Sequence, residues 1–372
     1  MTSLDVIGRS HRDAPVLRYD PNRDELAALL DGEPRYRLDQ VWAGIHERGE
    51  EIDDLTNLPK ALRARLTDEL PLALTPEVES ISDDGDTVKW LWRLYDGHKI
   101  ETVLMHYDDR TTVCVSSQAG CAMACGFCAT GQSGFDRHLS VGEIVEQIVR
   151  ARRQSAPRRV SNIVFMGMGE PLYNFDEVKG ALKIVMDGDG LALSKRRITL
   201  STSGVVPMMA RAGEEIGVNL AVSLHAVNKE IRDEIVPLNR KYGIEELLAA
   251  CAAYPGANNA RRITFEYVML KDKNDSDADA RELVRLIKQY RLPAKVNLIP
   301  FNPWPGAIYE CSSPERVRAF SNIIFESGIS APMRTPRGRD IMAACGQLKS
   351  AATKPTRAEL DRIAEEKQAA LG

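Results

Sequence analysis

The chain has 372 residues, of which 44% are hydrophobic and 27% are charged, and its formal net charge is −4. This composition is typical of a soluble globular protein, and a small negative charge does not by itself indicate a nucleic-acid-binding protein. We expect a cytoplasmic protein without a membrane partner, because the sequence lacks both the roughly 20 apolar residues of a membrane span and the apolar centre of a signal peptide.

Residues 1–80 are predicted to form a small N-terminal helical accessory domain. Three amphipathic segments separated by turn residues predict its helices: 24–31, 37–49 and 59–70. Residues 81–110 then alternate between strand-like segments and Asp-Gly turns, which predicts an antiparallel β extension.

Residues 111–350 alternate between β-branched apolar segments and segments of helical periodicity. The predicted strands are 111–117, 161–167, 196–203, 218–224, 262–270 and 295–300. The predicted helices are 140–154, 176–187, 205–215, 244–254 and 277–290. Such alternation predicts a parallel α/β sheet, curled or open. A last strand at 329–335 would extend one edge, and residues 351–372 are expected to form a polar helix or tail.

Polar or glycine-rich segments follow five of the predicted strands. They are the cysteine motif at 121–128, GMGEP at 167–171, STSG at 201–204, SLHA at 223–226 and PFNPWPG at 300–306. The loops after the strands of a parallel barrel open on one rim, where active sites lie. Taken singly, each segment has a structural explanation, since serines cap helices and asparagines shape turns. Their convergence on one rim predicts a functional site.

Cys121, Cys125 and Cys128 form a C-x₃-C-x₂-C motif, one ligand short of a closed zinc or iron–sulfur site. The sequence has no second C-x₂-C or His pair to complete a zinc site. Three thiolates suit three corners of a cubane and leave a fourth iron open to a ligand with an amine and a carboxylate. Glu170, in GMGEP, suits an ammonium better than a pyrophosphate.

This motif after the first barrel strand resembles the radical S-adenosylmethionine (SAM) superfamily. GCAMACGFCATG, GMGEPLYN, SLHA, NLIPFNPWPG and AACGQL are together similar to the RlmN family of adenine-C2 RNA methyltransferases. The resemblance implies a partial (β/α)₆ TIM-like radical SAM barrel over residues 111–350. It also implies one [4Fe–4S] cluster, two molecules of SAM per turnover, and two targets, adenine 2503 of 23S rRNA and adenine 37 of tRNA.

The same resemblance assigns roles to individual residues. It makes three thiols the cluster ligands: Cys121, Cys125 and Cys128. It implies seven SAM contacts: Gly169, Glu170, Ser201, Ser223, Leu224, His225 and Asn302. It implies a methyl-carrying cysteine, a resolving thiol and a proton acceptor: Cys345, Cys114 and Glu101, respectively. Without the resemblance, Cys114 and Cys345 would be expected to be small buried hydrophobes.

The chemistry that the resemblance implies explains how an unreactive carbon, C2 of adenine, can be methylated. C2 of adenine is electron-poor and cannot attack a sulfonium methyl. In the family's route a cysteine first accepts a methyl group from one SAM, and a 5′-deoxyadenosyl radical from a second SAM takes a hydrogen atom from that S-methyl. The carbon radical adds to C2, and a second thiol releases the adduct and ends in a disulfide with the first.

The implied partners are 23S rRNA in a protein-poor or assembling large subunit, tRNA, and an electron donor such as flavodoxin. A monomer is expected. The arginine-rich segments 150–159 and 334–339 are expected to meet RNA phosphates. Two alternatives stay open: a C8-adenine methyltransferase of the antibiotic-resistance type, and a non-enzymatic zinc-binding RNA module.

Overall fold

The computed structural model describes residues 15–349, so residues 1–14 and the helix or tail expected at 351–372 lie outside the described residues. The strands are β1 (Thr75–Ile81), β2 (Thr87–Arg93), β3 (Lys99–His106), β4 (Thr111–Cys114), β5 (Gln118–Gly120), β6 (Phe135–His138), β7 (Asn162–Phe165), β8 (Ile198–Thr202), β9 (Asn219–Ser223), β10 (Ile263–Met269) and β11 (Ala294–Pro300). Within these described residues, none of the helices has both the length and the apolar character needed to span a bilayer.

The α-helices are α1 (Arg23–Leu29), α2 (Tyr36–Trp42), α3 (Lys60–Glu69), α4 (Ala129–Gln132), α5 (Val141–Ser155), α6 (Phe175–Met186), α7 (Val206–Arg211), α8 (Lys229–Ile235), α9 (Ile244–Ala252), α10 (Asp277–Gln289) and α11 (Pro314–Glu326). The start of α5 shows how the sequence sets a helix boundary. The Ser140 hydroxyl accepts a hydrogen bond from the Glu143 amide at 3.2 Å, and the Glu143 carboxylate accepts one from the Ser140 amide at 2.9 Å. This capping box satisfies two amides that the first turn leaves free.

Nine strands form one sheet in the order β1-β2-β3-β4-β7-β8-β9-β10-β11. The strands from β4 through β7 to β11 pair in parallel. The first three pair antiparallel and continue the sheet beyond β4. Six parallel strands connected by helices form the predicted partial (β/α)₆ barrel, so the expected fold class is confirmed.

The segment 329–335, expected to be an edge strand, follows β11 without becoming a regular strand. The β11 amides of Val296 and Leu298 donate to the carbonyls of Ser330 and Pro332, at 2.9 and 3.0 Å. The Arg334 amide donates to the Leu298 carbonyl at 2.8 Å. Pro332 has no amide to donate, which limits the pairing to a short stretch. The segment nevertheless places Arg334 beside β11, the last strand of the sheet.

Sequence periodicity missed four elements: α4, α8, α11 and the β5–β6 hairpin. The helix α8 has only seven residues, five of them charged, so it lacks an extended apolar stripe. The hairpin strands are three and four residues long. Arg137 in β6 ties this hairpin to α5 through two 2.7 Å hydrogen bonds to Glu143.

The N-terminal helices pack directly on the barrel. Their buried leucines belong to the same hydrophobic cluster as the core of α5. The Gly142 amide donates to Asp20 at 2.6 Å, and the Ala73 amide donates to Glu146, also at 2.6 Å. A side chain at Gly142 would collide with the Asp20 backbone, so a glycine is required at this close approach. The division into an accessory domain and a barrel stays a prediction.

Candidate active site

A cavity opens at the carboxyl ends of the barrel strands. Seven of the residues expected at the site line it: Cys128, Gly169, Glu170, Ser201, Ser223, His225 and Cys345. They come from the loop after β5 and the loops or ends of β7, β8 and β9, together with the late segment that contains Cys345. Segments far apart in the sequence therefore meet at one rim, as the strand-end pattern predicted.

The cysteine loop is short and tightly turned. Ala124 adopts a left-handed conformation, and a side chain at Gly131 would lie only 2.9 Å from the Cys125 amide nitrogen. Cys121 and Cys125 are buried, and Cys128 is partly exposed to the cavity. Burial raises the pKa of the Cys121 thiol to about 12, and the neighbouring Cys128 adds to the shift. Three thiolates so close together need positive charge between them.

The donor set fits an iron–sulfur cluster better than a zinc ion. In the part of the chain that the structure describes, no group of three or more His, Cys, Asp or Glu side chains is arranged around a single metal ion. A zinc site brings its ligands together on one ion, whereas a cubane takes one thiolate on each iron. Three separate thiols on one loop, of which Cys128 lines the cavity, suit the second requirement.

Glu170 is a buried carboxylate held by amides. Its side chain accepts hydrogen bonds from the Ser203 amide at 2.7 Å and the Leu172 amide at 3.2 Å. Within residues 15–349, no Lys or Arg nitrogen lies within 4.0 Å of it. Burial raises the pKa of Glu170, and the amide hydrogen bonds oppose the shift. A bound ammonium group would supply the missing positive partner.

Two glycines before Glu170 bring the backbone close to the barrel interior. Gly169 has φ of +101°, and a Cβ there would lie 2.5 Å from the Gln118 side chain. A Cβ at Gly167 would lie 2.6 Å from the Val115 carbonyl oxygen. The Gln118 side chain in turn accepts a hydrogen bond from the Glu170 amide at 2.8 Å. Both glycines of GMGEP are therefore sterically required.

His225 presents a neutral ring to the cavity. Its Nδ1 accepts a hydrogen bond from the Val268 amide at 3.0 Å, so the proton of the neutral ring lies on Nε2. Burial lowers the pKa of His225 to about 3, and Arg232 adds to the shift. The residue has φ of +60°, a strained conformation for a side chain of this size. Leu224, just before it, is fully buried and lies behind the cavity wall.

Cys345 also borders a second, neighbouring cavity. Cys114, Asn302 and Arg334 line that cavity together with Cys345. Burial, and then the charge of Cys345, raise the pKa of Cys114 to about 12. Asn302 uses its amide on the segment that contains Cys345: its Nδ2 donates to the Cys345 carbonyl at 3.0 Å, and its Oδ1 accepts from Arg339 at 2.7 Å.

Glu101 lies outside both cavities. It sits on β3 with one carboxylate oxygen 3.0 Å from the Lys89 ammonium, and its other oxygen is buried without a hydrogen-bond partner among the described residues. Burial raises the pKa of Glu101, and Lys89 opposes the shift. Lys89 also donates to the Met342 carbonyl at 3.2 Å, which links Glu101 to the segment that contains Cys345.

Sequence reasoning missed two cations at the site, Arg232 and Arg334. Arg334 lies in the segment 334–339 expected to face RNA, but its guanidinium lines both cavities. In the same segment Arg337 pairs with Asp86 at 2.8 Å. The composition of this segment does not indicate that Arg334 points inward, because its direction depends on how 329–335 pairs with β11.

The arginines of 150–159 also differ in their surroundings. Arg150 pairs with Glu146 at 3.0 Å, and Arg153 pairs with Glu51. Arg158 and Arg159 are exposed. They precede β7 and so lie near the amino ends of the strands, away from the rim that carries the cysteine loop.

Residues 115–284 match the family model of the Radical SAM superfamily. The dual-specificity RNA methyltransferase RlmN of Sphingopyxis alaskensis is 63% identical over an alignment of 405 residues, covering 99% of this chain and 95% of the relative. The protein of the same name from Rhizorhabdus wittichii is 62% identical, with 99% and 92% covered. A crystal structure of a radical SAM methyltransferase from Sphaerobacter thermophilus is similar with a TM-score of 0.87 and 49% identity, covering 90% of this chain and 100% of that chain.

Proposed function

This chain belongs to the RlmN family of radical SAM RNA methyltransferases, and from that premise we propose that it methylates C2 of an adenine. The observation that carries the proposal is the position of Cys345. It borders the cavity of Cys128 and Glu170 on one side and the cavity of Cys114 on the other. A methyl-carrying cysteine needs both neighbours, a methyl and radical donor on one side and a resolving thiol on the other.

Radical SAM enzymes use a [4Fe–4S] cluster and SAM, which when bound supply a 5′-deoxyadenosyl radical. In this chain Cys121, Cys125 and Cys128 hold three irons. Glu170 accepts the SAM ammonium, and the Nε2–H of His225 donates a hydrogen bond into the cavity. The other proposed SAM contacts are Gly169, Ser201, Ser223, Leu224 and Asn302. Of these, Leu224 offers only backbone, and Asn302 has a second amide N–H besides the one that it donates to the Cys345 carbonyl.

The thiols then act in sequence. Cys345 accepts a methyl group on its sulfur and holds it beside the flipped-out adenine. Glu101 takes up a proton through its connection to the cysteine segment. Cys114 attacks the sulfur of Cys345 as the methylated adenine leaves, and the two thiols end as a disulfide. Arg334, between the two cavities, gives the thiolate forms a positive neighbour.

The proposed substrates are adenine 2503 of 23S rRNA in a protein-poor or assembling large subunit, and adenine 37 of tRNA. Both bases must leave their stacked surroundings to reach Cys345, which lies beside a recessed cavity. A flavodoxin-type electron donor, a monomeric state and a cytoplasmic location complete the proposal.

The test uses the full chain with its cluster reconstituted anaerobically, SAM, a reductant, and protein-free 23S rRNA or tRNA. Mass spectrometry of digested RNA is expected to find 2-methyladenosine with the native chain and none with Cys345→Ala. 8-Methyladenosine instead would overturn the C2 assignment and support the resistance-type alternative. Family membership sets aside the non-enzymatic zinc module, and iron with sulfide in the purified protein checks this directly.

A further inference from the structure

Arg232, on α8, is completely buried. Its guanidinium donates to the carbonyls of Leu224 at 2.9 Å, Ser203 at 3.0 Å and Ser223 at 3.2 Å, and to the Asn239 side chain at 2.8 Å. These carbonyls belong to the ends of β8 and β9, the two strands that carry proposed SAM contacts. These bonds satisfy guanidinium donors of Arg232, but each acceptor is a neutral carbonyl or amide oxygen and does not balance the positive charge.

Comparison with a second buried arginine, Arg137, shows that the neutral surroundings of Arg232 are unusual. Arg137 is almost as buried, and two carboxylates, Glu143 and Asp96, neutralise it. No carboxylate oxygen lies within 4.0 Å of the Arg232 guanidinium among residues 15–349. A buried charge without a counter-charge is costly, so proteins normally pair it or place it beside a bound ion.

The helix that carries Arg232 contacts the cysteine loop. One turn after Arg232, the Ile235 carbonyl accepts a hydrogen bond from the Gly126 amide at 3.2 Å. Ile235 belongs to the same small buried cluster as Cys121 and Cys125. Burial lowers the pKa of Arg232 to about 10, and the nearby Cys125 is the first of the groups that oppose this shift. The anion that would compensate Arg232 is therefore the cluster with its thiolates.

We propose that Arg232 is a positioning residue that also acts as a fixed positive charge on the iron–sulfur cluster and raises its reduction potential. Reduction adds one electron to a cluster that already carries anionic thiolates. A cation held in a low-dielectric interior stabilises that reduced form more than the oxidised form. This inference rests on the proposed function, in which Cys121, Cys125 and Cys128 ligate the cluster.

Two variants separate charge from hydrogen-bond geometry. Arg232→Gln removes the charge and keeps an amide donor, whereas Arg232→Lys keeps the charge and loses the branched guanidinium. The measurement is an EPR-monitored redox titration of the reconstituted full chain without SAM, with iron and sulfide content determined in parallel. Arg240→Gln removes an exposed arginine eight residues later and serves as the control.

At the wild-type midpoint, Arg232→Gln is expected to have an about tenfold lower ratio of reduced to oxidised cluster, which corresponds to about 59 mV for one electron. Arg232→Lys and Arg240→Gln should stay within about threefold of wild type. A purely structural clamp would weaken SAM binding in both Arg232 variants and leave the potential unchanged.

An unchanged potential in Arg232→Gln overturns the inference, and so does an equal fall in Arg232→Lys. If Arg232→Gln fails to fold or to hold iron, the pH dependence of Arg232→Lys decides. A buried lysine loses its charge as pH rises whereas arginine keeps it, so the potential of Arg232→Lys should fall below that of wild type at alkaline pH. A potential that follows wild type at every pH contradicts the inference. A wild-type chain that binds no cluster would instead refute the proposed function, so the two failures are distinguishable.

Discussion

The candidate active site has two sides, one at each of the two neighbouring cavities, and these sides are built differently. The cluster side consists of Cys121, Cys125, Cys128, Glu170 and His225, and the thiol side consists of Cys114, Asn302, Arg334 and Cys345. On the cluster side, the carboxylate and the histidine are fixed by backbone amides at the ends of strands. The thiol side instead joins the end of β4 to a segment near the end of the described chain.

Hydrogen bonds to several distant segments hold the segment with Cys345, among them one from Lys89 to the Met342 carbonyl and one from the Thr130 hydroxyl to the Leu348 carbonyl. The segment with Cys345 is attached through Asn302, through the Gln347 side chain that donates to the Pro303 carbonyl at 2.7 Å, and through the Gly346 carbonyl that accepts from the Ala129 amide at 2.8 Å. The carboxylate and histidine of the cluster side are fixed by backbone amides at strand ends, whereas Cys345 lies in a loop that is held by contacts to distant segments. This difference suits the role proposed for Cys345, which is to meet SAM, RNA and Cys114 in turn.

The largest expected effect is on the cluster side. Cys125→Ala should leave too few thiolates to hold the cluster, and both 5′-deoxyadenosine and 2-methyladenosine should fall below detection. Iron analysis and product assays measure this. Cys251→Ala removes another buried thiol, from α9, and should leave iron content and both products near wild type. Normal iron content in Cys125→Ala would contradict the ligand assignment.

The corresponding change on the thiol side should separate the two products. Cys345→Ala should abolish 2-methyladenosine, because no sulfur remains to carry the methyl group. Iron content and the Kd for SAM should stay within about threefold of wild type, since the cluster side is untouched. Cys311→Ala, a partly exposed thiol outside both cavities, is the control. A large loss of SAM affinity in Cys345→Ala would show that the two sides are not separable.

The sequence predicted these two sides unequally, for a physical reason. The cluster side depends on residues close in sequence and on strand ends, so spacing and periodicity located Cys121–Cys128, Glu170 and His225. The thiol side depends on contacts between distant segments, so Cys114 and Cys345 came only from family resemblance. Arg334 was expected to face RNA because the strand predicted at 329–335 does not reveal from sequence that this side chain faces the cavities. Arg232 was overlooked because a short polar helix has no pattern that indicates burial.

Glu170→Gln should have a smaller, purely binding effect. The amide loses the negative charge that would meet the SAM ammonium, and charge-assisted hydrogen bonds contribute about 1.5–3 kcal/mol. The Kd for SAM should therefore rise about ten- to hundredfold, with iron content unchanged. Equilibrium binding of SAM to the reconstituted protein measures this. An unaltered Kd would mean that Glu170 does not face the ammonium.

Lys89→Met should change the pH dependence through the thiol side. Burial raises the pKa of Glu101 and Lys89 lowers it, so removing Lys89 should raise the pKa of Glu101 further. Glu101 must be ionised if it is to take up a proton. In a plot of methylation rate against pH, the rise on the acidic side (the acidic limb) should therefore move to higher pH, while the rate at alkaline pH changes little. Lys99→Met removes the lysine that pairs with Glu77 and should not move the limb. An unmoved limb in Lys89→Met would remove Glu101 from the reaction.

The smallest expected effect concerns where RNA meets the molecule. Arg158 and Arg159 are exposed on a turn that the Ser155 hydroxyl fixes through a 2.8 Å hydrogen bond to the Arg158 carbonyl. Replacing both with alanine should lower RNA affinity and reduce the slope of log affinity against log salt by roughly 0.7–0.9 per lost phosphate contact. SAM cleavage without RNA should not change. Arg281→Ala with Arg285→Ala, on the outer face of α10, is the matched control.

The result of that measurement also decides from which end the adenine arrives. A polar opening at the amino ends of the strands is lined by Arg110 and Lys295 and reaches Arg334, which borders the thiol side. If Arg158 and Arg159 contact phosphate, RNA lies at this end, and the base approaches Cys345 from the side opposite the cluster. SAM and RNA would then use separate entrances, SAM at the cluster side and RNA at the thiol side. Unchanged affinity and salt slope would instead place RNA at the carboxyl-end rim, where it would share the entrance with SAM.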